Sequence, residues 1–261
     1  CKDWEDIYVP AHIQMEGYDA PQYANVQYPW EGHEELHPGQ IPERFNPVAS
    51  YVRYFHVPES MKGKRVFVSF QGAESGLALW LNGKFVGYSE DSFTPSEFEL
   101  TEYLKDGENK LAAQVFKWTA SSWCEDQDFY RFSGIYRDVY LYTVPEVHVN
   151  DLRIRAIPEE SLTSATLELV TKTWGSGTLK ILLSKDGEVI LEDSKEISDE
   201  DTFIWRVDAP VLWSAEDPQL YDLELTVSDA NGNVQEIIPQ KVGFRRFEMK
   251  DGIMTLNGKR I

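Results

Sequence analysis

The sequence predicts an all-β chain built as two sandwiches in series, and three observations carry that prediction. Short segments of alternating apolar and polar residues recur from residue 51 onward. No window sustains the 3.6-residue period of a helix. Asn-Gly and Asp-Gly pairs fall between alternating segments, where a two-residue hairpin turn needs positive φ at both positions.

Residues 1–50 are irregular and rich in Pro, His and aromatics, and Gly32, Pro38, Gly39, Pro42 and Pro47 exclude a long regular element. Strands are then expected at residues 51–57, 65–70, 77–81, 84–88 and 110–118, with Asn82-Gly83 as a hairpin turn. This spacing suits a jelly-roll sandwich. Val144-Pro145-Glu146 marks a boundary. Beyond it the alternation is plainer: Leu167 and Leu169, then Leu179, Ile181 and Leu183, and a strand over 220–227 with Tyr221, Leu223, Leu225 and Val227 on one face. About seven short strands in roughly 100 residues point to an immunoglobulin-like sandwich over residues 146–242. Residues 243–261, with Asp251-Gly252 and Asn257-Gly258, read as a hairpin leading into further chain.

A length of 261 residues accommodates about two domains. Net charge is -19, from 25 basic and 44 acidic residues. Nucleic-acid binding draws its affinity from cations on phosphates, so no nucleic-acid partner is expected, and no anionic membrane surface either. No apolar run approaches the ~18 to 20 residues of a spanning helix. Cys1 and Cys124 are too few for a disulfide framework or a thiolate metal site. Cys1 is compatible with a lipidated first residue, but fold-like sequence follows at once, and a chain cut from something longer is the preferred reading. Compartment stays open.

Residues 123–139 carry six charges, Glu125, Asp126, Asp128, Arg131, Arg137 and Asp138, among five aromatics. This mixture suggests a polar surface held rigid from behind. Ser133-Gly134 reads as a tight turn, followed by one strand in which Ile135, Val139 and Leu141 share a face opposite Tyr136, Tyr140 and Tyr142. His33-Glu34-Glu35-Leu36-His37 formally matches a zinc-protease motif, which requires a helix. Gly32 before it and Pro38-Gly39 after it favour a polar loop, and no zinc is expected. Tyr18, Tyr23, Tyr28, Trp30, Trp118 and Trp123 suit either a sugar platform or packing behind the charged loop, packing being the commoner fate.

Several stretches resemble glycoside hydrolase family 2, in the order that family shows. They are Gln14-Met15-Glu16-Gly17-Tyr18-Asp19-Ala20-Pro21, Tyr23-Ala24-Asn25-Val26-Gln27-Tyr28-Pro29, Leu81-Asn82-Gly83-Lys84, and Glu125-Asp126-Gln127-Asp128 with Arg131 and Ser133-Gly134-Ile135-Tyr136-Arg137-Asp138-Val139. The resemblance is to its large β-galactosidases and implies a galactose-binding-like jelly roll, an immunoglobulin-like domain and a catalytic β/α barrel beyond residue 261. It implies that both catalytic glutamates lie on that barrel, so no catalytic residue is expected here. Asp128 would contact galactosyl hydroxyls and ligate sodium, and Asn25 would contact the same sugar. Magnesium would belong to the barrel alone, the substrate would be a β-galactoside or other glycan, and the whole enzyme would be a homo-oligomer. From the residues alone, Asp128 is as readily an ion-pair partner of Arg131 or Arg137, and Asn25 a turn residue. Gln27, Trp30 and the insert at 31–43 depart from the best-known members and leave a sister activity such as β-glucuronidase open. A stand-alone carbohydrate-binding module is the alternative of a different class.

Overall fold

The computed structural model describes residues 3–126 and 128–261, so Cys1 and Gln127 of the signature lie outside the described residues. Nearly all regular structure is antiparallel strand. Helix among the described residues is confined to the single turn Ser122–Glu125 and two 3-10 turns, Glu59–Met61 and Thr101–Tyr103. Two compact units divide the chain, Cys1–Val144 and Pro145–Ile261.

The first unit is a jelly-roll sandwich. One sheet runs in the order Val48–His56, Glu108–Phe116, Gly76–Leu81, Lys84–Ser89, and the other in the order Val139–Thr143, Val66–Phe70, Ser96–Glu99. Val68 and Phe70 meet Leu77, Leu79, Leu81, Ala113 and Val115 between them. The central strand Gly76–Leu81 is covered on both faces, which is why Gly76 and Ala78 alternate with leucines where an edge strand would carry polar residues. Asn82 (φ 53°) and Gly83 (φ 83°) make the expected turn. The Asn82 amide also donates to Tyr103 O at 2.9 Å and Asn109 Oδ1 at 2.8 Å, tying the turn to the neighbouring loop.

Two expectations are corrected here. The segment after Ser133 is not one strand: Gly134–Ile135 pairs with Ala73–Glu74, whereas Val139–Thr143 pairs with Val66–Phe70 in another sheet. The facing nevertheless holds, since Ile135, Val139 and Leu141 all reach the core and Tyr140 is exposed. Nor is Ser133-Gly134 a tight turn. Ala11 N donates to Ile135 O at 2.8 Å and Ile13 N to Ser133 O at 3.0 Å, so the N-terminal segment lies alongside it as an extra strand would. Before Val48 the described residues hold one short strand, Gln22–Ala24, paired with Phe129–Arg131.

The second unit is an immunoglobulin-like sandwich with strands in the orders His148–Pro158, Ser164–Trp174, Glu200–Asp208 and Glu188–Glu196, Gly177–Lys185, Tyr221–Asp229, Val234–Val242. Alternate residues of each inner strand fill it, with Leu167, Leu169, Leu179, Ile181, Leu183, Leu223, Leu225 and Val227 almost wholly enclosed. Asp186-Gly187 forms a hairpin turn with φ of 52° and 86°. The chain then adds a small three-stranded sheet, Phe247–Lys250, Ile253–Leu256 and Lys259–Arg260.

Gly134 is a position where the first unit depends on a missing side chain for both backbone conformation and space. Its φ is +113°, and a Cβ there would lie 3.0 Å from Tyr51 Oη, 3.1 Å from Ala11 O and 3.1 Å from Ile13 Cγ2. Strain and crowding together predict that Gly134→Ala loses roughly 1–3 kcal/mol. Urea unfolding of the two proteins measures this, and an unchanged midpoint would show that the neighbours give way.

Candidate functional site

The signature loop is fastened by buried charge. Arg131, 1% exposed, ends the strand Phe129–Arg131, and its guanidinium pairs with Glu74 Oε1 at 2.6 Å and with Asp126. Glu74 and Asp126 are themselves 3% and 2% exposed. Burial pushes the Glu74 carboxyl above its ordinary range even though Arg131 pulls the other way. The six charges therefore do not all form a polar surface as the sequence suggested. Asp126 and Arg131 turn inward, because they neutralise one another across the loop they enclose.

A second buried pair sits beside the first. Lys117, 1% exposed, places Nζ 2.5 Å from Asp19 Oδ2. Gln14 Nε2 donates to Asp19 Oδ2 and to Ser133 Oγ, both at 2.8 Å, while Ser133 N donates to Gln14 Oε1 at 2.9 Å. The first sequence stretch of the resemblance is thus bonded directly to the last.

Aromatic rings back the loop. Trp30 and Trp118 are buried at 1% and 0%. Tyr28 stacks on Trp30 at 5.0 Å and meets Trp123 at 4.5 Å, and its hydroxyl donates to Trp123 O at 3.0 Å. Packing is the fate of these four, while Tyr18 and Tyr23 are exposed. The 31–43 insert folds over this wall: Trp123 Nε1 donates to Gln40 O at 2.6 Å, and His33 stacks on Phe45 at 4.1 Å. Residues 33–37 are not helical. Glu34 accepts from the backbone N–H of Glu43, Arg44 and Phe45. Desolvation pushes its carboxyl up, but those three donors prevail and hold it below the ordinary range. The Glu of the formal zinc motif is the hub of a loop.

In front of this support stand the two residues singled out in the sequence, and the structure brings them together. Tyr23 Oη donates to Asp128 Oδ1 at 2.6 Å and accepts from Asn25 Nδ2 at 3.3 Å. Asn25 and Asp128 are both exposed, and Asp128 holds a φ of +52°. Asp128 is not the partner of either arginine: Arg131 is turned inward, and Arg137 donates to Phe93 O at 2.7 Å and Gln71 O at 3.3 Å. Tyr23 stood in the sequence only as one of six rings for a sugar platform or packing, and its bridge between Asn25 and Asp128 was missed. It sits opposite Tyr130 in the short ladder, with ring centroids 4.8 Å apart. Its phenol is raised above the ordinary value, first by the hydrogen bond to Asp128. Only its place two residues before Asn25 signalled it.

Family models settle what kind of chain this is. Residues 2–145 match the model described as glycosyl hydrolases family 2, sugar binding domain, and residues 147–245 match glycosyl hydrolases family 2. The chain belongs to glycoside hydrolase family 2. Relatives include a β-galactosidase of Halalkalibacterium halodurans, 52% identical over 100% of this chain and 26% of its own length. Another is a β-galactosidase of Clostridium acetobutylicum, 51% identical over 99% of this chain and 29% of its own. A β-galactosidase large subunit of Leuconostoc lactis is 41% identical over 99% of this chain and 44% of its own. The family 2 chain thus spans 26–44% of the length of these relatives. Among solved structures, Bacteroides uniformis β-glucuronidase 2 aligns with a TM-score of 0.69 at 28% identity over 81% of this chain and 28% of that one. Ruminococcus gnavus β-glucuronidase aligns at 0.66 and 20% identity over 81% and 38%, a likeness of fold.

The pair Lys117 and Asp19 yields a pH prediction for this family 2 chain. Desolvation pushes the Asp19 carboxyl up, yet the bonds from Lys117 and Gln14 prevail and hold it below its ordinary value. Its contribution to stability is therefore complete above the ordinary carboxylate pKa and is lost as pH falls through the depressed folded value. Asp19→Asn leaves the Lys117 ammonium buried without a carboxylate, at a cost of about 3–5 kcal/mol near neutral pH. The variant is also expected to show a flatter acid limb when stability is plotted against pH. Superimposable curves would overturn the assignment.

Proposed function

We propose that this chain is the non-catalytic N-terminal region of a β-galactosidase that hydrolyses terminal β-D-galactosides with retention, and that it completes the substrate pocket of a barrel carried by the remaining polypeptide. The observation that carries the reading is the exposed cluster of Tyr23, Asn25 and Asp128, in a chain 52% identical to a β-galactosidase. Sugar hydroxyls both donate and accept. Asp128 retains one carboxylate oxygen beyond the one Tyr23 engages, and Asn25 retains its carbonyl and an N–H. Tyr23 orients both groups before any ligand arrives.

The same carboxylate fits a hard cation. With Arg131 and Arg137 engaged elsewhere, Asp128 offers a charged oxygen at the surface, the donor type sodium takes. Among the described residues no cluster of three or more His, Cys, Asp or Glu is set to hold a metal. Asp128 accordingly supplies one ligand and the remaining polypeptide the others; magnesium belongs wholly to the latter. Bound sodium would supply positive charge to a substrate hydroxyl, and this chain's part is to hold the carboxylate in place. Retaining hydrolysis needs two carboxyl groups ~5 to 5.5 Å apart across the scissile bond. That pair is assigned to the barrel, so the chain alone is expected to be inactive. The relatives at 52% and 51% identity favour galactosidase over glucuronidase.

A stand-alone carbohydrate-binding module is the second reading, favoured by the exposed rings of Tyr23 and Tyr130. Calorimetric titration of the chain with galactose and lactose separates the two, tight binding supporting the module and its absence the shared pocket. In the full-length parent, Asp128→Asn is expected to lower kcat/KM by roughly 10- to 150-fold, the worth of a charged hydrogen bond. Tyr23→Phe is expected to lower it by about 2- to 10-fold, mainly through KM. Unaltered kinetics in both variants would remove the cluster from the pocket.

A further inference from the structure

The first unit's sheet that contains Gly76–Leu81 turns one face to the core, with Tyr51, Leu79, Leu111 and Ala113 packed there. Its register sets the alternate residues on the outer face. Three rungs of side chains cross that face. Tyr54 lies opposite Lys110; Val52, Ala112, Trp80 and Phe85 follow one another across the four strands; Gln114, Ala78 and Tyr88 form the next rung. Tyr54, Phe85 and Tyr88 are 50%, 55% and 48% exposed, and Trp80 is half-buried.

The wet face of an antiparallel sheet is ordinarily polar. The second sandwich follows this, with Asp222, Glu224 and Thr226 on the outer side of Tyr221–Asp229. Here four rings take such places, and a contiguous patch of this kind marks an interaction surface. The rings are ordered about a gap. Trp80 and Phe85 meet edge to face, centroids 5.5 Å apart, on two neighbouring strands, and Tyr54 stands on the outermost strand opposite. Ala112 lies on the strand between, with a methyl group where its neighbours carry rings, so the face is a trough with an alanine floor.

The walls of the trough hold polar groups with nothing to bond. Trp80 Nε1, Tyr54 Oη and Lys110 Nζ make no hydrogen bond or ion pair among the described residues, the ammonium lying 5.9 Å over the Tyr54 ring. Gln114 Nε2 donates to Ser50 Oγ at 3.4 Å and its carbonyl remains open. An apolar protein surface would cover the rings but strand these donors. A pyranose matches both features, since its C–H faces lie flat on rings while its hydroxyls donate and accept at the rim.

We propose that this face binds a neutral oligosaccharide, as a second sugar-contacting surface apart from the cluster of Tyr23, Asn25 and Asp128. That cluster stands on a separate ladder, Gln22–Ala24 with Phe129–Arg131. The rings of the face span three strand spacings, roughly 14 Å, so galactose or lactose is too short to fill it and the occupant is a longer chain of sugars. One ammonium between rings suits hydroxyls, whereas a polyuronate would need a row of cations. The inference goes beyond the proposed function and needs neither a barrel nor galactosidase activity.

Affinity electrophoresis of this chain through gels holding a soluble β-galactan, β-glucan or arabinoxylan tests it, with polygalacturonate as the anionic comparison. At least one neutral gel is expected to retard the chain. Phe85→Ala and Tyr54→Ala, both at half-exposed positions, are expected to keep the urea midpoint and to weaken that retardation roughly 5- to 10-fold. Unaltered migration in all three neutral gels overturns the proposal, as does retardation by polygalacturonate alone. Retardation that Asp128→Asn removes and Phe85→Ala leaves intact puts the glycan at the other cluster and overturns it too. So does self-association of the chain in light scattering that Phe85→Ala abolishes, since a second copy then occupies the face.

Discussion

The buried guanidinium of Arg131 is the constraint on which the site depends. A charge removed from water costs several kcal/mol and is tolerated only with partners of opposite sign in good geometry. Arg131 meets that condition with Glu74 from one sheet and Asp126 from its own loop. Asp126 and Arg131 bracket Asp128, so the same bonds that neutralise the arginine fix both ends of the short segment that carries the exposed carboxylate. Apolar residues of similar volume would fill the space at least as stably, but they would not specify where the loop ends lie.

Around this pair the first unit builds inward to outward. Lys117 with Asp19, and Gln14 with Ser133, bond residues 14–19 to the strand beyond the loop. Trp30, Trp118, Tyr28 and Trp123 then fill the back of it, and the ladder of Gln22–Ala24 with Phe129–Arg131 presents Tyr23 and Tyr130 on the open side. A surface carboxylate loses entropy when it is held still. Here that cost is met within the fold, through the 2.6 Å bond from Tyr23, so a ligand would not have to meet it on binding.

What could be read in the sequence follows from how local each signal is. In the second sandwich, the inner strands bury one face against a single layer, and the period-2 pattern of Tyr221, Leu223, Leu225 and Val227 is a direct record of that. In the first unit, Gly76–Leu81 is covered on both sides and its burial does not alternate, so only its apolar run and the Asn82-Gly83 turn revealed it. The strand Gln22–Ala24 is three residues long and pairs across more than a hundred positions, too short to leave a period. The break at 136–138 was likewise invisible, because both halves keep the same side to the core while changing sheets. Asn25 and Asp128 were legible by resemblance, and their adjacency only through the fold. Tyr23, which joins them, was read as one ring among several, since nothing in composition distinguishes a bridging phenol from a packing one.

The location of the charge explains the inward turn of Arg131. With a net charge of -19, a lone arginine on this surface would find carboxylates anywhere, and such exposed pairs fix little, being worth ~0–1 kcal/mol each. Burial makes the choice of partner strict: in a medium where an unpaired charge is costly, Asp126 and Glu74 are the described carboxylates that pair with Arg131, and a loop that moved Asp126 away would leave the guanidinium with Glu74 alone. Asp128, two residues from Asp126, is thereby denied the nearest cation. Its negative charge stays at the surface because the interior has already committed the arginine, and Tyr23 Oη is the group of this chain that meets it; the second carboxylate oxygen is the one the proposed pocket would use.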